Sequence, residues 1–220
     1  MTDAQRKRER AATKASTKGL LICLAVLSVA GAGAWFALTT GLERLPSKVC
    51  EGSVDRDVVI RALPRTRTAE EGSSRSHEGK NLMFSCHIYT SADSILSGMT
   101  RVDDASMQQW LDHYGGTTSK ESIRVSADGI EALAGLNTDS GRSSVYVPCV
   151  PRGVPAGSAN ESYAIITEAS VVGAGRVSGA ALRQAVSDFA YQLTKHVYEE
   201  AGCKDRRTFP EELPRYEDDR

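Results

Sequence analysis

The sequence predicts one transmembrane helix followed by a disulfide-stapled α+β domain, an antiparallel sheet packed by about three helices. Three observations carry this reading. A 24-residue run without a charge lies near the N-terminus, segments of alternating polarity stand between segments of helical period, and four cysteines follow the apolar run.

The apolar run is Gly19 to Leu42 (GLLICLAVLSVAGAGAWFALTTGL). As a helix rising about 1.5 Å per residue it would reach about 36 Å, enough to cross a hydrocarbon core of about 30 Å with some tilt. Residues 1–18 carry six basic side chains (Arg6, Lys7, Arg8, Arg10, Lys14, Lys18) against Asp3 and Glu9, whereas the other flank begins Glu43-Arg44. This asymmetry predicts a cytoplasmic N-terminus and an outer domain of a single-pass plasma-membrane protein. A cleaved secretory signal is the rival reading, with small-residue sites at Ala30-Gly31-Ala32 and Ala32-Gly33-Ala34. The apolar character continues to Leu42, longer than an ordinary signal core, and favours the anchor.

The whole chain has 220 residues and a formal charge of -1, so everything after residue 18 carries -5. An acidic domain lacks the basic footprint for a phosphate backbone, which argues against a nucleic-acid partner.

In the outer domain, residues 43–203, Ser53 can cap a short helix through Val58, Val59 and Leu63 that ends at Pro64. Residues 65–80 (RTRTAEEGSSRSHEGK) are polar and aperiodic, a surface loop by pattern. Strands are expected over Asn81–Thr90 and Ser94–Val102, joined as a hairpin. A helix capped by Asp103 or Asp104 follows, with Met107, Trp110, Leu111 and Tyr114 on one face and Gly115-Gly116 as its stop. Three or four strands come next, from Glu121–Ser126, Gly129–Leu136, Ser143–Val150 and Ser162–Val172. The last helix, Gly179–Ala201, presents Leu182, Ala185, Val186, Phe189, Leu193 and Val197 on one side, and Gly202 ends it. Residues 204–220 have two prolines, dense charge and few apolar side chains, and read as a disordered tail.

Cys50, Cys86, Cys149 and Cys203 are an even set in a domain bound for an oxidising compartment, and they read as two disulfides. Their spacings contain no C-x-x-C knuckle, which disfavours zinc. Three pairings are open. Because the ends of a domain often lie close together, Cys50–Cys203 with Cys86–Cys149 is the favoured one.

The chemical motifs are decoys. Gly173 to Gly179 (GAGRVSG) lies between a strand and a helix, as a dinucleotide loop would, but no second parallel strand follows. Residues 72–80 (GSSRSHEGK) lack the first glycine of a phosphate loop, and Asn81 stands where its Ser or Thr belongs. His77-Glu78 has no second histidine, and no nucleophile elbow occurs. His77, His87, His113 and His196 are scattered, and His196 reads as a packed core-edge side chain with pH sensing as the sharper alternative. Asn160-Glu161-Ser162 matches a glycosylation acceptor. No catalytic, cofactor-binding or metal-binding residue is expected.

The stretches LPSKVCEGSVDRDVVIRALP, NLMFSCHIYTS, VYVPC, SDFAYQLTKHVYEEAGC and FPEELPRY, which lie within residues 43–216, resemble uncharacterised single-pass membrane-anchored ectodomains of high-GC Gram-positive bacteria. More distantly they resemble four-cysteine envelope lipoprotein and sensor domains, whose lipid-modified cysteine is here replaced by Gly19–Leu42. The resemblance implies a cell-envelope setting and brings no catalytic residues with it. The expected function is a non-catalytic extracytoplasmic module that binds or senses an envelope protein or ligand. A cell-envelope enzyme, or an accessory subunit that uses Gly31-Ala32-Gly33-Ala34 to approach another helix, is the alternative.

Overall fold

The computed structural model describes residues 23–36, 38–115, 122–136, 141–152, 154 and 162–216. The chain divides at residue 39 into two units. In the first, residues 23–36 and 38–39 are helical (α1). Ser28 and Thr39 turn their hydroxyls back to the carbonyls of Leu24 and Trp35, and Cys23 is a free, exposed thiol. Among the described residues no helix is long and apolar enough to cross a membrane. The first residues of the expected span, 19–22, and the basic residues 1–18 lie outside the described ones. At its other end the expected span ran too far, because Gly41 donates its N–H to Thr66 and Leu42 is buried in the core of the second unit.

The second unit opens with a 3-10 turn (Leu42–Arg44) and a small hairpin of β1 (Lys48–Val49) and β2 (Val54–Asp55). Cys50, Glu51 and Gly52 at its tip all have left-handed backbones, φ 52, 57 and 82°. The Ser53 hydroxyl bonds back to Cys50 O in this turn instead of capping a helix, so α2 (Arg56–Ala62) starts after Asp55. The following Pro64 disfavours a further helical residue at Leu63.

Seven strands then build one sheet: β3 (Ala69–Ser76), β4 (Met83–Thr90), β5 (Ile95–Asp104), β6 (Ser122–Ala127), β7 (Ile130–Gly135), β8 (Arg142–Pro148) and β9 (Tyr163–Val172). The spatial order is β3-β4-β5-β9-β8-β7-β6, antiparallel throughout. Between β5 and β6 lies α3 (Met107–Tyr114), and α4 (Gly179–Ala201) follows β9. The α+β expectation holds, and α4 has the expected bounds, closed by Gly202 at φ 60°.

Residues 65–80 were expected to be loop, but β3 pairs with β4 along its full length. An edge strand with mostly exposed side chains has no hydrophobic face to write into the sequence, so its ladder is invisible to pattern. The cap of α3 is Ser106 rather than an aspartate. Its Oγ accepts from Gln109 N while Gln109 Oε1 accepts from Ser106 N, a reciprocal capping box. Asp103 and Asp104 belong to β5, opposite Ala164 and Tyr163.

The pleat sends alternate residues to two faces. Phe84, Cys86, Ile88, Leu96, Val102, Ile130, Val145, Val147, Ile165 and Val171 form the core beneath α4, which packs across β5, β9 and β8 with α2 at its side. Gly98 makes this approach possible, since a Cβ there would press on Leu193 and come within 2.8 Å of Phe189 Cε1. A chain of hydroxyls crosses the same interface. Thr194 donates to Ala190 O at 2.8 Å, so it accepts from Thr167 (2.6 Å), which accepts from Thr100 (2.9 Å).

The disulfides are Cys50–Cys86 and Cys149–Cys203, which overturns the favoured pairing. Two strands, β5 and β9, separate β4 from β8. At about 4.8 Å per strand, Cys86 on β4 stands roughly 14 Å from the β8 line, beyond disulfide reach. Cys203 meets the end of β8 instead, where Pro151 bridges to it and Lys204 N bonds to Val150 O.

Nor is the C-terminal segment disordered over its described residues, 204–216. Leu213 and Tyr216 are buried, Phe209 stacks edge-on to Tyr198, and the Tyr191 and Tyr198 hydroxyls donate to Pro210 O and Asp205 O at 2.6 Å. Phe209 and Tyr216 meet α4, Leu213 joins the main core, and helix tyrosines satisfy the segment's backbone. The Gly173–Gly179 loop has a comparable structural role. Arg176 donates from its backbone to Ala62 O (2.9 Å) and from its guanidinium to Ile60 O (3.1 Å), satisfying carbonyls that α2 leaves open at its end.

Candidate functional site

The second face of the sheet is only half covered. The eight-residue α3 lies over one part, where Trp110, Leu133, Tyr146, Ala164 and Ile166 make a small second core. On the same face, Met83, Tyr89, Met99 and Val172 of β4, β5 and β9 stay exposed. Between the covered and open parts runs a groove of about 770 Å³.

The groove follows from side-chain size. Its floor is Ser97, Gly135, Ser144 and Ser170, residues too short to fill the space above their strands, with the Gly98 backbone between them. Its walls are longer: Met99 and His87 on one side, Leu133, His113 and Tyr114 on the other, with Arg142 at the start of β8. The register places Arg142 opposite Ser170, and Ser144 opposite Glu168.

One wall is an ordered polar cluster. Arg101 Nη1 and the Tyr114 hydroxyl both donate to Glu168 Oε1, at 2.7 and 2.6 Å. Arg101 also donates to Tyr114 (3.1 Å) and to Asp103 Oδ2 (2.9 Å). Burial pushes the Glu168 carboxyl up, but the bonds from Tyr114 and Arg101 outweigh it and hold the group below its usual range. The Tyr114 phenol is pushed up to about 12, first by burial and then by its bond to the carboxylate. Glu168 is thus a fixed anion already engaged by a cation and a phenol.

The floor carries spare donors. Trp110 Nε1 donates to Ser144 Oγ at 2.9 Å, and because an indole only donates, the serine's own hydrogen is left for another acceptor. Ser97 and Ser170 lie 3.3 Å apart, and whichever accepts keeps its own hydrogen free. Arg142 is exposed, and its side chain has no hydrogen bond or ion pair among the described residues.

Of the histidines singled out by sequence, His87 and His113 line the groove. His77 sits in a left-handed turn (φ 62°), and His196 packs on Phe84 with its Nε2 3.3 Å from Glu200. Asn160, the acceptor of the glycosylation pattern, lies outside the described residues. Among the described residues no group of His, Cys, Asp and Glu could hold a metal, and no serine, threonine or cysteine bonds to a histidine. Sequence reasoning passed over Arg101, Arg142, Glu168 and the floor serines. The one available signal was a charge in the middle of an apolar strand: Glu168 interrupts a segment that is otherwise almost wholly uncharged.

No family model matches the chain, and neither a curated protein nor a solved structure shows significant similarity to it.

Proposed function

We propose that the chain is a single-pass membrane protein whose outer domain is a non-catalytic binding or sensing module, with its ligand taken into the groove on the half-covered sheet face. The groove carries this reading. Its volume of about 770 Å³ is that of a small-molecule site, and its floor of serines and glycines supplies hydrogen-bonding groups without a nucleophile activated by a base.

The apolar run beginning at Gly19 serves as the anchor, with residues 1–18 on the cytoplasmic side, as their basic charge favours. Two disulfides in the domain fit an oxidising compartment outside the cell. Protease added to intact protoplasts should remove a C-terminal tag and spare an N-terminal one. A mature chain starting near Gly33 or Trp35 would refute the anchor.

Binding is tested on the full chain in lipid nanodiscs with methyl-labelled methionine. Met99 lines the groove, while Met83 lies on the same face outside it. A library of small polar solutes should contain members that move the Met99 signal saturably and leave Met83 in place. A library that moves neither refutes the binding reading.

A further inference from the structure

We infer that the groove takes a small oxyanion, a carboxylate or phosphate group, held by Arg142 and the hydroxyls of Ser144 and the Ser97–Ser170 pair. The inference rests on the binding reading above and names the chemistry of the ligand.

The described lining of the groove carries several donors without a partner of their own. Arg142 offers five N–H donors in a planar fork that matches two oxygens of one carboxylate or phosphate. It stands directly across from Ser170, and its guanidinium is unpaired among the described residues. Ser144 and one of Ser97 and Ser170 each have a hydroxyl hydrogen to give, because their oxygens already accept from Trp110 and from the partner serine. Glu168, the one carboxylate on the lining among the described residues, has Oε1 occupied by both Arg101 and Tyr114, so much of its charge is met inside the protein. His87 and His113 add ring N–H donors on opposite walls. A cationic ligand would face Arg142 with Glu168, already bonded to Arg101 and Tyr114, as the one carboxylate on the lining among the described residues, and a neutral one would leave the guanidinium unused.

The experiment titrates the full chain in nanodiscs with succinate, inorganic phosphate and the uncharged isostere succinamide, read at the Met99 methyl. Succinate or phosphate should shift Met99 saturably, and succinamide should not. Whichever anion binds distinguishes a carboxylate from a phosphate ligand. Arg142→Gln should weaken that binding at least tenfold, and Arg142→Lys should recover part of it. Because the Arg142 side chain is exposed and unpaired among the described residues, the unchanged thermal midpoint of both variants checks that the fold is intact. An equal response to succinate and succinamide, or an Arg142→Gln variant that binds like the parent, overturns the inference. If neutral solutes move Met99 and no anion does, the oxyanion inference falls and the binding module stands. If nothing moves Met99, both fall.

Discussion

The phenolic oxygen of Tyr216 lies 3.0 Å from the hydroxyl of Ser187 on α4, which lies 2.7 Å from Ser143 on β8. The C-terminal segment is therefore joined through the helix to the sheet. Deleting residues 205–220 should lower the thermal midpoint substantially rather than leave it unchanged. Leu213→Ala alone removes a side chain only 3% exposed and should cost about 2–5 kcal/mol. Calorimetry on the two variants measures both effects.

Burial pushes the Tyr216 phenol up to about 12, above its unfolded value of about 10. The fold favours the neutral form. This contribution is fully present below pH 10 and is lost as pH rises toward 12. Tyr114 and Tyr191 are raised in the same way, so the parent should lose stability steeply over that window. Tyr216→Phe should lose less between pH 9 and 11 than the parent, read as the difference in thermal midpoints.

At the acid end Glu168 has the opposite sign. Its folded pKa lies below the unfolded one, so the stability it contributes is present above about pH 4.3 and is lost as pH falls through the folded value. Glu168→Gln cannot titrate. Its denaturation midpoint should fall less than the parent's between pH 5 and pH 3, and an identical acid limb in the two proteins would contradict the Arg101–Glu168–Tyr114 cluster.

Peptide mapping without reduction should yield Cys50–Cys86 and Cys149–Cys203 peptides. The bridges span 36 and 54 residues and should each stabilise the fold by roughly 4 kcal/mol in the chain-entropy model. Replacing Cys149 and Cys203 together by alanine should lower the midpoint without disturbing the other bridge. A Cys86–Cys149 peptide would be incompatible with the strand order.

Gly98 is the point of closest approach between β5 and α4. Gly98→Val should force Phe189 and Leu193 aside and cost about 1–3 kcal/mol by overpacking. The same change at Gly72, where a Cβ meets nothing within 4 Å, should have little effect on a urea midpoint.

By itself the sequence determined the α+β class, the even set of paired cysteines, the hairpin of β4 and β5, and the bounds of α4. Each rests on local periodicity or on a local stop signal such as Gly202, and these are properties of neighbouring residues. Tertiary structure alone decided which cysteines meet, because that depends on strand order. It also decided that β3 is a strand, since hydrogen bonds from β4 hold it in place of a hydrophobic face. The C-terminal segment was hidden for a similar reason: Leu213 and Tyr216 are too few to suggest a core of their own, yet each is buried against one already built. The groove was least legible of all, because a floor of serines and glycines looks like unremarkable strand in one dimension and becomes a cavity only when Arg142, Glu168 and Tyr114 rise around it from separate elements.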